Sequence, residues 1–164
     1  MIFSEHWFAR LIIVTSAVAL ALIFLFSAIV FLPSSGPNIK NASVVFSNVK
    51  FTAEVAESPS ARMKGLSGRD LIPEFGGMLF KFLEPGIYSF WMKDMRFSID
   101  IIWLSKGQIV YLVKDAEFPK SGTPDVGIRI FTPNVDADAV LEVRAGMAGR
   151  YDIKIGDKVD VTVK

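Results

Sequence analysis

Two hydrophobic patterns divide this chain. One uninterrupted apolar run lies near the start, and short stretches of period-two alternation fill most of the chain after Val44. The run, Leu11 to Leu32, has 22 residues and no charge. As a helix it measures about 33 Å, enough to cross the hydrocarbon core of a bilayer. It lacks the polar face of a core helix. It is also longer than the roughly 7–15 apolar residues of a cleaved secretory signal. In the best candidate cleavage site, Phe26 stands two residues before Ala28, where a small side chain is needed. The pattern predicts an uncleaved signal-anchor: a tail over 1–10, a transmembrane helix over 11–32 and a linker over 33–43, opening with Pro33-Ser34-Ser35-Gly36-Pro37.

From residue 44 to 164 the alternation predicts strands. Phe51, Ala53 and Val55 alternate with Thr52, Glu54 and Ala56. Ser58-Pro59 is a helix cap followed by a first-turn proline, so a short helix is expected over Ala61 to Leu66, ending at Gly65 or Gly68. Strands are expected at Met78–Phe82, Ile87–Met92 and Ser98–Leu104, with Glu84-Pro85-Gly86 as a turn. Lys106-Gly107 predicts a hairpin returning through Val110 to Val113. The segment from Lys114 to Pro133 reads as a long loop with fragments of strand, Val140–Arg144 as a strand, and Ile153 to Val159 as a hairpin into a last strand carrying Val159, Val161 and Val163 on one face. Many short strands and one small helix imply a mainly β domain, an antiparallel β-sandwich or barrel.

Charge refines the topology. Arg10 abuts the apolar run, with Trp7 and Phe8 placed for the interface, while Lys40 and Lys50 lie farther out on the other side. A short tail before a first helix stays cytoplasmic, so the expected location is a single-pass position in the cell membrane with the β domain extracytoplasmic. Asn41-Ala42-Ser43 is then a candidate glycosylation sequon, with Asn41 as acceptor. Removing Arg10 from the 18 basic and Glu5 from the 17 acidic residues leaves 17 against 16 from Pro33 onward. With no basic run, nucleic acid is not an expected partner.

His6 is the sole histidine and there is no cysteine. The β domain therefore cannot assemble a Ser-His-Asp or Cys-His nucleophile or the usual zinc sites. Asp136-Ala137-Asp138 with Asp125 lacks the spacing of a calcium loop. No cofactor or metal is expected. The expected partners are membrane lipid through 11–32 and a small-molecule, glycan or protein ligand.

Arg62 with Gly65-Leu66 and Arg69, then Gly77-Met78-Leu79-Phe80, Phe90-Trp91-Met92-Lys93, Asp100-Ile101, Gly107-Gln108-Ile109, Leu141-Glu142-Val143 with Gly146, and Gly156-Asp157 follow one another in a specific order. In this the chain resembles the domain of unknown function 192 family over roughly Phe51 to Val163. The resemblance implies a β-sandwich or jelly-roll-like fold and no established activity. This chain has Asp94-Met95 where the family usually has Asn-Thr, and Ser98-Ile99 where it usually has Pro-Leu.

Candidate ligand-binding residues are Arg62, Arg69, Trp91, Lys93, Asp100 and Trp103. Each also has a structural reading. Asp100 lies in a run that otherwise reads as interior, so it meets a ligand, forms a buried ion pair with Arg62, Arg69 or Lys93, or faces water from a two-sided strand. The two arginines either hold an anion or tie the helix to the sheet. Trp91 and Trp103, with Phe90, are either a stacking floor or core. Asp94 and Asp100 are about 20 Å apart if extended, too far for a glycosidase pair. The leading expectation is a non-catalytic ligand- or partner-binding module. The alternatives are an envelope hydrolase or lyase using Asp100 with Arg62 or Lys93, and a structural docking domain with an exposed apolar patch.

Overall fold

The computed structural model of the protein describes residues 40–164. The tail, the expected anchor over 11–32 and the linker up to residue 39 lie outside the described residues. Among the described residues no helix is long and apolar enough to cross a membrane.

The elements run β1 (Asn41–Val45), β2 (Lys50–Ala56), α1 (Pro59–Lys64), β3 (Gly76–Gly86), β4 (Phe90–Trp91), β5 (Ile99–Ser105), β6 (Gln108–Ala116), β7 (Ile130–Phe131), β8 (Ala137–Arg144), α2 (Met147–Arg150) and β9 (Asp160–Val163). Seven strands form one sheet in the order β6-β5-β8-β3-β2-β1-β9, and β4 pairs with β7 in a separate ribbon. The mainly β expectation is met, but the sheet is mixed where an antiparallel one was expected. β2 and β3 are parallel neighbours. The chain between Ala56 and Gly76 is long enough for the crossover that parallel pairing requires, and α1 lies in it. Nor is this a two-sheet sandwich or a closed barrel. The long sheet curls until Gln108 bridges Lys158 at one corner, without the outer strands β6 and β9 pairing along their lengths.

Local chemistry explains the elements. Ser58 caps α1, its Oγ accepting the Ala61 N–H at 3.1 Å, with Pro59 in the first turn. Gly65 ends it with φ +50°, its N–H bonded to the Ala61 carbonyl. Lys106 and Gly107 both have positive φ, the geometry of a two-residue hairpin turn between β5 and β6. Glu84-Pro85-Gly86 is not the expected turn. It continues β3, and the register against β8 shifts between Lys81 and Gly86. The end of the chain also departs from expectation: β9 pairs with β1, not within a terminal hairpin. Because that pairing reaches Ala42 and β1 begins at Asn41, the sheet starts three residues before the expected domain boundary at 44. Asn41 is exposed there.

Both faces of the sheet are buried, each with its own core. On the inner, concave face Val55, Leu79, Leu141, Ile102 and Leu112 form one continuous row across β2, β3, β8, β5 and β6. Phe51, Val44, Ile109, Ile153 and Val159 close the curl around this row. On the outer face Ala56, Phe80, Val140, Trp103 and Tyr111 line up. Leu66, Ile72, Met92, Met95, Ile128 and Phe131 cover that row from the loops and the ribbon. Gly77 is required where β3 meets β8, because a Cβ there would lie 2.5 Å from the Glu142 carbonyl oxygen.

Candidate functional site

The six sequence candidates do not converge on one place. Asp100 belongs to the inner face of β5 and is fully buried. Its Oδ1 accepts the backbone N–H of Asp115 at 2.8 Å and of Gly146 at 3.2 Å, and Oδ2 accepts that of Ala148 at 2.7 Å. It therefore pins the end of β6 and the start of α2 to β5. The expected ion pair with Arg62, Arg69 or Lys93 is not formed. Backbone donors satisfy the carboxylate instead. Burial raises the Asp100 pKa, while the three amides pull it down. With both oxygens occupied and no solvent contact, it is not placed to meet a ligand or to serve as an acid-base group.

Trp103 is likewise buried, with its Nε1–H donated to the Tyr88 carbonyl at 2.8 Å. Phe90 and Tyr111 pack edge-on against it, with ring centroids 5.8 and 5.2 Å away. Drawing such a side chain out to a ligand would surrender about 4–6 kcal/mol of burial. Trp103 is core.

Arg62 is an anchor. Its guanidinium donates to the carbonyls of Glu57 and Lys81 and lies 5.3 Å from the centre of the Phe82 ring. Arg69 forks onto Glu54 at 2.5 and 2.7 Å. That fork lowers the Glu54 pKa and raises that of Arg69, with burial opposing both. The loop after α1 is thereby fixed over the outer face.

Trp91 and Lys93 are different. Trp91 is 46% exposed, and the Lys93 ammonium sits 5.3 Å from its ring centre while pairing with Asp125. The hydrogen bond to Asp125 raises the Lys93 pKa. This pair straps the 117–129 loop to the segment after β4.

Beside the strap lies a cleft of about 640 Å³, large enough for a small-molecule or glycan ligand. One wall is Lys64 at the end of α1 with Gly68 beyond it, the second is Asp94 to Arg96, and the third is Phe118 to Thr123 with Asp125. Two bonds make the first two walls one unit: Gly68 N–H to the Asp94 carbonyl at 2.8 Å and Ser67 Oγ–H to the Lys93 carbonyl at 2.9 Å. Asp94 holds φ +56°, in the left-handed region that Asp tolerates better than most residues with a Cβ. Met95 and Ile128 supply the apolar floor. A second cleft of about 400 Å³, floored by Met92, shares Phe118, Pro119, Lys120, Thr123 and Ile128, so the two adjoin across the loop. Arg96 pairs with Asp70 and Asp125 with Lys93, whereas Lys64 and Lys120 form no ion pair among the described residues. The cleft is left with spare positive charge beside one carboxylate, Asp94.

Sequence reasoning missed Lys64, Met95, Phe118 and Lys120. The available signal was the loop itself, since a structureless loop this long in a compact domain is often functional. Among the described residues no group of three or more His, Asp or Glu side chains is arranged to hold a metal ion.

The DUF192 family profile, described only as an uncharacterized ACR, matches residues 42–161. The chain belongs to the DUF192 family. Two solved structures share its fold. One, described as a candidate transcription regulator from Sinorhizobium meliloti 1021, is 25% identical with a TM-score of 0.64, covering 74% of this chain and 92% of that one. The other, a protein of unknown function from Novosphingobium aromaticivorans, is 27% identical with a TM-score of 0.64, covering 78% and 89%. No curated protein matches. In this DUF192 domain the matched segment contains the whole cleft.

Proposed function

We propose that this DUF192 domain is held outside the cell membrane by residues 11–32 and binds a ligand, without transforming it, in the cleft beside the 117–129 loop. The single observation behind this reading is the cleft, with an apolar floor and two cations, Lys64 and Lys120, that have no ion-pair partner among the described residues. These features suit a small molecule, glycan fragment or peptide with an anionic group. Of the sequence candidates, Lys93 and Trp91 stand at its edge and Arg62 and Arg69 brace its surroundings. The regulator role named for the Sinorhizobium protein is not carried over, because 17 bases against 16 acids with no basic run offer no footprint for DNA.

The test is a thermal-shift panel on the full-length protein in detergent, using acidic glycan fragments, short acidic peptides and their neutral counterparts. An anionic member should raise the melting temperature by a few degrees. The Lys64→Glu, Lys120→Glu double variant should lose that shift, and the compound should be recovered unchanged. A shift that survives the double variant, or a cleaved product, would overturn the reading.

One observation favours a second reading, docking of a protein partner. Trp91 and Ile130 are cross-strand neighbours on the β4-β7 ribbon, 46% and 60% exposed. Together they form an apolar pair on the surface.

A further inference from the structure

The loop beside the cleft is tied to itself more firmly than to the body of the domain. From Phe118 to Ile128, every backbone hydrogen bond among the described residues is internal. The Thr123 N–H donates to the Lys120 carbonyl at 3.0 Å, the Gly127 N–H to that of Pro124 at 2.8 Å and the Ile128 N–H to that of Asp125 at 3.1 Å. The Thr123 hydroxyl adds a second bond to the Lys120 carbonyl. Ile128 is the one buried side chain of this stretch. Its one side-chain bond to the body, among the described residues, is the ion pair of Asp125 with Lys93.

The two ends, in contrast, are fixed. Ala116 is buried, and the Asp115 N–H before it is held by Asp100. Beyond the stretch, Phe131 is buried in the ribbon, with the Arg129 guanidinium 4.7 Å from its ring centre. Two clefts flank the part between. Phe118, Pro119, Lys120, Thr123 and Ile128 border both, so the loop is the partition that separates them. Met95 lies in the floor of the larger cleft and Met92 in that of the smaller, and both are buried. A segment braced internally, but held by one ion pair and one buried side chain, opens as a unit while the sheet stays folded.

From these ties and the paired clefts, we propose that residues 118–128 form a lid, latched by Lys93 to Asp125. When the lid lifts, the two clefts become one groove over Met92 and Met95. Unbranched, polarizable methionine side chains let such a floor adapt to what enters. That the lid admits a ligand rests on the binding reading above, to which it adds control of access.

The chain has no cysteine, so Met92→Cys places a single thiol under the lid. In the full-length protein in detergent, fluorescein maleimide should label this thiol without denaturant and well below the melting temperature. Lys93→Gln and Asp125→Asn should each speed the labelling several-fold. Combined, they should do no more than either alone, because both break the same latch. Met95→Cys repeats the measurement from the other cleft should Met92→Cys fail to fold. Leu141→Cys, in the inner core, should stay protected. Equal labelling there would mean that the whole domain unfolds, and would overturn the lid. Latch variants that leave the labelling rate unchanged would overturn it as well. Accelerated labelling, with no acidic glycan or peptide of the panel bound, would keep the lid and sink the binding reading. An unchanged rate beside a bound panel compound would do the reverse.

Discussion

Glu142 shows how far a residue's neighbours decide its chemistry. On the outer face it lies in a row of Glu54, Met78, Glu142, Ile101 and Val113, so its immediate cross-strand neighbours are apolar. It is 5% exposed, and burial pushes its pKa up to about 8. Among the described residues its carboxyl has no side-chain partner. Asp100, in contrast, receives three backbone amides. A raised pKa means the folded state holds the proton more tightly than the unfolded chain, whose glutamate titrates near 4.5. Stability from this group is therefore complete below about pH 4.5 and is lost as pH rises through 8. Glu142→Gln should match the wild type in melting temperature near pH 4.5 and exceed it at about pH 8.5, by an amount reflecting several kcal/mol. Parallel pH profiles for the two proteins would count against the assignment.

At the scale of elements, the 117–129 loop depends on few ties. The Lys93–Asp125 pair fastens it to the segment after β4, and Thr123 closes a local turn on the Lys120 carbonyl through both its N–H and its Oγ–H. A solvent-exposed pair of this kind adds little to the stability of the whole fold. Lys93→Gln should therefore leave the global melting temperature within a degree or two. Hydrogen exchange of amides 117–124 should speed up several-fold, since a loop opens without unfolding the sheet. Exchange unchanged in this loop would show that other contacts hold it. The short helix α1 behaves in the opposite way. Its cap, its first-turn proline and the Arg62 anchor make it secure despite its six residues.

At the scale of the molecule, β9 protects an edge. Without it β1, carrying Val44 and Ala42 on its inner face, would become the outer strand with unpaired backbone groups. Truncation after Val159 should lower the melting temperature by several degrees and produce concentration-dependent association, measured by sedimentation. A truncated chain that stays monomeric and equally stable would show that β9 is dispensable. Such an outcome is hard to reconcile with a core that the curl of the sheet closes on both sides.

The parts of this protein legible in its sequence are those governed by neighbours along the chain. The helix at Pro59, the Lys106-Gly107 hairpin, the alternation of β2 and the apolar inner face of the last strand follow from steric preference and period-two burial. The family could be read too, because its fingerprint is a linear order of residues. Pairing across the chain was not legible. Whether β3 lies parallel to β2, whether β9 returns to β1, and whether Glu84-Pro85-Gly86 turns or continues depend on contacts between segments far apart in sequence. The candidate site was only half visible for the same reason. Type and spacing singled out Asp100 and Trp103, but charge and aromaticity do not report accessibility, and tertiary packing sealed both. Tertiary structure alone decided that Lys64, Arg96 and Lys120, which are remote in sequence, face one cleft. Local sterics act over a few residues, whereas a site is made where distant strands and loops exclude solvent together.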